Sequence, residues 1–135
     1  MCRKKIMAFI TAQEHCINIV NAAEVFANNL GCELLVVTVQ PLKCEAKIRA
    51  GAVKCLENIV KQCNIPITVC YSNNPAKSLA AIARKEKPIH IFTGDGGTFL
   101  NQFRKLYSTA PISVILNQKT VCTIPAELDI LKTAN

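Results

Sequence analysis

Four side chains able to do acid–base or nucleophilic chemistry, Glu14, His15, Cys16 and Asp95, fall in two short segments of the chain. A carboxylate or imidazole can move a proton, and a thiol near a helix N-terminus can ionise and attack. Each also has a plainer use. Glu14 suits a helix cap, His15 an exposed first turn, and Asp95 an N-cap or turn position. The four match no known triad spacing, so no catalytic residue is assigned.

The second segment carries more information. Residues 89–98 read IHIFTGDGGT, an apolar strand running into a glycine-rich turn that opens an amphipathic run. In a parallel α/β sheet such a turn aims free backbone N–H groups at an anion beside a helix N-terminus. Gly94, Gly96 and Gly97 permit close approach of the main chain. A tight strand-to-helix connection with no ligand needs the same glycines, so both readings stand.

Metal chemistry is not expected. The eight cysteines (Cys2, Cys16, Cys32, Cys44, Cys55, Cys63, Cys70 and Cys122) are scattered, with no C-x-x-C pair and no clustering with His15 or His90. Several replace apolar residues within helical or strand patterns, as buried reduced thiols do.

The formal net charge of +7 raises the question of nucleic acid. The cations are spread along the chain, and aromatics are not interleaved with them, so stacking platforms are absent. A dedicated nucleic-acid partner is not expected. No apolar run approaches the ~18 residues of a membrane span. The apolar part of MCRKKIMAFI is shorter than the roughly 7–15 residues of a signal peptide core, and it reads as the first strand of a cytoplasmic protein.

The elements that must position these residues alternate from end to end, and 135 residues suit one domain. Residues 6–11 form a first strand. Thr11 followed by Glu14 is a capping-box pattern ahead of a helix with Ile17, Val20, Ala23, Ala27 and Leu30 at helical spacing, stopped by Gly31. Residues 34–39 are a continuous apolar run, expected of a strand buried on both faces and ended by Pro41. A second helix spans 45–63, with Ile48, Ala52, Cys55, Ile59 and Cys63 on its inner stripe. Ile67–Tyr71 is the third strand, and Asn74-Pro75 caps a helix that stops before Pro88, with Leu79, Ile82 and Ala83 inward. The fourth strand is 89–93, the fourth helix 98–107 and the fifth strand Ile112–Leu116. Right-handed crossovers make this a parallel sheet with helices on both faces. Residues 117–135 form a C-terminal extension, with Lys119–Ile124 as an edge strand and 125–131 as the start of a short helix. The extension is expected to cover the sheet edge or a partner subunit.

In this order the chain resembles the universal stress protein family, most closely the domain found in bacterial potassium-sensing kinases and small stand-alone relatives. The resemblance covers roughly residues 4–116. It rests on KKIMAFITAQEHC, LGCELLVVTVQP and GDGGTFLNQFRKLYSTAPISVIL. It implies a three-layer α/β fold with an open, parallel, five-stranded sheet of order 3-2-1-4-5 over residues 1–116. That order would bring the loops after strands one and four together at the topological switch point. The ligand-binding residues it implies are Thr11, Ala12, Gln13, Val39, Gly94, Asp95, Gly96, Gly97 and Thr98. It also implies a homodimer through Ile112–Leu116, assisted by the tail.

The chain departs from the family's nucleotide-binding pattern. Thr11 stands where those members carry aspartate. The pattern G-x-x-G, nine residues, G-S/T fits Gly94 and Gly97 but then meets Tyr107. The alternative takes Gly97-Thr98 as the G-S/T pair, which shortens the phosphate loop and keeps Phe99, Phe103 and Leu106 on one helix face. A triphosphate would then find few backbone donors, and Asp95 would repel it by about 4 kcal/mol at ~4 Å and an effective dielectric near 20. The expectation is a non-catalytic regulatory protein that binds a partner or a small, nucleotide-like ligand and holds no ATP tightly. An adenine-nucleotide-binding protein or hydrolase of the same fold is the alternative, and polyanion binding through net charge a second.

Overall fold

The structure, a computed structural model, describes residues 3–94, 97–116 and 119–126. The sheet runs in the order β3-β2-β1-β4-β5-β6, with β1 (Lys5–Ile10), β2 (Glu33–Gln40), β3 (Ile67–Tyr71), β4 (His90–Thr93), β5 (Ile112–Leu116) and β6 (Lys119–Ile124). The first five strands are parallel in the expected order 3-2-1-4-5. A sixth strand extends them: β6 turns back and pairs antiparallel with β5, Ile112 opposite Ile124, with a register shift at Val114/Ile115. The sheet therefore continues past Leu116 into the C-terminal extension. A helix starting at 125 lies outside the described residues from 127 onward.

The central strands carry apolar residues on both faces, and each face has its own core. Ile6, Ala8 and Ile10 of β1 pack under α1 (Ile17–Leu30) and α2 (Ala46–Cys63) with Ile19, Val20, Ala23, Leu56 and Ile59. Met7 and Phe9 point the other way, to α3 (Pro75–Glu86) and α4 (Gly97–Leu106), meeting Leu79, Ala80, Ala83 and Phe103. This is the side-chain alternation of a strand buried on both sides.

Local chemistry sets the element ends. Gly31 closes α1 at φ +66°, and the Asn74 side chain accepts from Lys77 N–H at 3.2 Å, ahead of Pro75 at the start of α3. The Thr11–Glu14 capping box does not form. A single 3-10 turn, Glu14–Cys16, precedes α1 without a side-chain cap, and the Thr11 hydroxyl instead meets Cys16 Sγ at 3.4 Å. Two inward assignments also shift. Ile48 keeps the expected helical spacing but is 60% exposed, in the first turn of α2. Leu106 is exposed at the end of α4, and Tyr107 is buried in its place, completing the series Phe99, Phe103, Tyr107 at i, i+4, i+8.

Candidate functional site

β1 pairs with β2 on one side and β4 on the other. After Ile10 the chain leaves toward α1 on one face, and after Thr93 it leaves toward α4 on the opposite face. The diverging connections open a cleft of about 520 Å³ at the carboxyl ends of the strands. β1 supplies Phe9 and the loop after it Thr11, Gln13, His15 and Cys16. β2 adds Val39 and β4 adds Thr93 and Gly94, while Phe99 closes the α4 side.

Of the residues singled out from the sequence, Thr11, Gln13, Val39 and Gly94 line this cleft together. Ala12 turns inward and packs against the core beneath α1. Gly97 opens α4 at φ +42°, and Thr98, the next residue of the helix, is exposed; neither lines the cleft. Asp95 and Gly96 lie outside the described residues. The strand-to-helix connection between β4 and α4 is only residues 94–96. That is the short-loop arrangement, with Gly97-Thr98 at the head of the helix.

Phe9 and Phe99 were not singled out as site residues. Their rings stack at 4.7 Å between centroids, with planes 17° apart, forming one apolar wall. Strand alternation places Phe9 on the same face as Thr11, which was the available signal for it. Phe99 depends on how α4 packs, which local periodicity does not report. Gly94 has a packing reason besides its loop position: a Cβ there would come within 3.2 Å of Ile19 Cδ1.

The polar groups of the cleft are the Thr11 and Thr93 hydroxyls, the Gln13 amide and the His15 imidazole, and no carboxylate is among the described lining residues. Cys16 is buried, with its thiol against the Thr11 hydroxyl. Glu14 faces a separate recess on the α2 side, with Cys55 and Asn58. Burial there pushes the Cys55 thiol up, with Glu14 and then Cys16 adding to the effect, so Cys55 is held as the unreactive thiol at neutral pH. Of the three candidate acid–base and nucleophilic groups among the described residues, His15 and Cys16 thus line the cleft and Glu14 does not. Nor does any group of three His, Cys, Asp or Glu there offer a metal site. No described helix is long and apolar enough to cross a membrane.

No protein-family model matches the sequence, and no curated protein resembles it in sequence. Solved structures do resemble the fold. A universal stress protein from Archaeoglobus fulgidus superposes with a TM-score of 0.68 at 15% identity, over 86% of this chain and 96% of that one. An Archaeoglobus fulgidus universal stress protein in complex with dAMP gives 0.64 at 16% identity, over 86% and 100% of the two chains. A universal stress protein in complex with cAMP gives 0.62 at 12% identity, over 86% and 99%. The chain has the universal stress protein fold.

Proposed function

We propose that this chain is a non-catalytic, universal-stress-like regulatory protein that holds a small nucleotide-like ligand, a monophosphate rather than a triphosphate, in the cleft between the ends of β1 and β4. The observation that carries the reading is the composition of that cleft. It has apolar walls from Phe9, Val39, Ile19 and Phe99 for a planar base, with hydroxyl and amide groups of Thr11, Gln13 and Thr93 also lining it, and no carboxylate among its described lining. Its volume falls in the range of small-molecule sites. The dAMP and cAMP complexes of two structural neighbours support the ligand class.

The size limit on the phosphate follows from the loop. Residues 94–96 are the whole connection from β4 to α4, too short to wrap a triphosphate chain in backbone N–H groups. Asp95 in that connection adds a negative charge. The non-catalytic part rests on the separation of Glu14 from the cleft and the engagement of Cys16 with Thr11. In this reading the protein acts as a homodimer. The outward edge of β5 is already filled by β6, so a second copy pairing edge to edge would meet β6 rather than Ile112–Leu116.

Thermal denaturation in the presence of AMP, cAMP and ATP tests the reading. A ligand at 100 times its dissociation constant stabilises by about 2.7 kcal/mol, a shift of several degrees for a domain of this size. AMP or cAMP is expected to raise the midpoint more than ATP at equal concentration, with no phosphate released from ATP. Strongest stabilisation by ATP, or turnover of it, would sink the proposal.

A further inference from the structure

The end strand of the sheet opposite β6 is unguarded. β3 pairs with β2 in the register Val36–Ile67 to Gln40–Tyr71, and no strand pairs with its other edge among the described residues. Natural sheets protect such edges with charge, proline or a bulge, yet Ile67–Tyr71 reads ITVCY, with none of these. The N–H of Ser72 donates to Gln40 O at 2.8 Å. By the alternation of a strand, the N–H groups of Val69 and Tyr71 therefore face outward, away from β2.

The same residues line a groove. Ile67, Val69 and Tyr71 face Ala52, Val53, Leu56 and Val60 of α2 across a cleft of about 440 Å³. Of the ten large apolar side chains left exposed among the described residues, three line this groove: Val53, Val69 and Tyr71. Such a concentration marks an interaction surface rather than scattered exposure. An open edge beside an apolar groove is the geometry that takes up an extended segment as an added strand, its alternate side chains filling the groove.

Charge identifies the occupant. Of the charged side chains that line the groove, Arg49 and Lys61 outnumber the single carboxylate, Glu57, and the whole chain carries a formal net charge of +7. Arg49 stands at one end of the groove. Its Nη2 donates to Pro41 O and Leu42 O, its guanidinium lies 4.9 Å from the Tyr71 ring centroid, and its Nη1 is buried without an acceptor. A second copy of this chain would bring the same cations to its own and be repelled, whereas an acidic segment is attracted. We propose that the β3 edge and the groove under α2 dock an extended acidic segment of a partner protein, which adds a strand beside β3. This site shares no lining residue with the β1–β4 cleft and does not depend on a ligand there.

The test uses the full chain and three labelled nonapeptides: alternating valine and threonine with glutamate ends, the same with lysine ends, and the glutamate version N-methylated at alternate residues. Binding by fluorescence anisotropy is expected to favour the glutamate peptide over the lysine peptide by about tenfold or more. N-methylation should abolish it, and the amide NMR shifts should concentrate on Ile67–Tyr71. Val69→Lys and Val53→Lys should each weaken binding by about tenfold while Val25→Lys, on exposed α1 surface, leaves it unchanged. The proposal is overturned by no binding at about 1 mM peptide. Equal binding of the N-methylated peptide would overturn it too, as would Val69 and Tyr71 amides that are already protected in the free protein or become protected as its own concentration rises.

Discussion

Phe99 lies flat against Phe9, so the first residue-level contact between α4 and the central strand is also one wall of the cleft. Stability and binding are coupled at this pair. Phe9→Ala should cost about 3–4 kcal/mol, as for a large buried aromatic, and Phe99→Ala, half-buried, about 2. The double mutant should fall short of the sum by about 1 kcal/mol, the value of the ring pair itself. Urea denaturation of the four proteins measures it, and strict additivity would show that the rings do not interact.

Gly94 is confined by a single methyl group. Gly94→Ala forces its new Cβ against Ile19 Cδ1, at an expected cost of about 1 kcal/mol. Ile19→Val removes that carbon, so the Gly94→Ala change should cost less in the Ile19→Val background than in the parent. Thermal melts of the cycle decide it; an equal cost in both backgrounds would place the strain elsewhere.

Thr11 contributes a hydroxyl to the cleft and a contact to Cys16. Thr11→Val keeps the shape and removes the oxygen. Monophosphate affinity should fall by about tenfold, the worth of one hydrogen bond, with stability changed by about 1 kcal/mol or less. Calorimetric titration of AMP against both proteins checks it, and unchanged affinity would remove Thr11 from the site.

His90 gives the fold a pH dependence of definite sign. Its ring sits among Phe26 and Phe92, and burial holds its pKa below the ordinary 6.5. The native state thus binds fewer protons there than the unfolded chain. This contribution is complete above pH 6.5 and is lost as pH falls through that value toward the lower native one. Melting midpoints of the parent should drop over that interval relative to His90→Gln. Because Nε2 meets Ser113 Oγ at 2.8 Å and Ser113 meets Thr123 at 3.1 Å, the variant should also loosen β6, seen as faster amide exchange at 123–124.

The sequence made the alternation of elements legible because each carries its own local signal. The unbroken apolar run of β2, Asn74-Pro75 and Gly31 each act within a few residues. The cleft was only partly legible. Thr11, Gln13, Val39 and Gly94 share it because strand order brings them together, and that order came from the resemblance rather than from periodicity. What was missed depends on tertiary placement. Ile48 has the right helical phase but is exposed in the first turn of α2, and the stacking of Phe99 on Phe9 joins residues ninety positions apart. The Thr11 hydroxyl had a local partner available at Glu14 and took a thiol instead, because a 3-10 turn replaced the first turn of the helix.

The backward turn between β5 and β6 has a consequence for how the molecule assembles. Every other neighbouring pair in the sheet joins strands separated by a whole helix or more, and the β1–β4 seam waits on some eighty residues of intervening chain. Linked through residues 117–118 alone, β5 and β6 can find each other within their own stretch, with little loop entropy to overcome. This hairpin is thus the pair of neighbouring strands able to organise quickest once both have been synthesised.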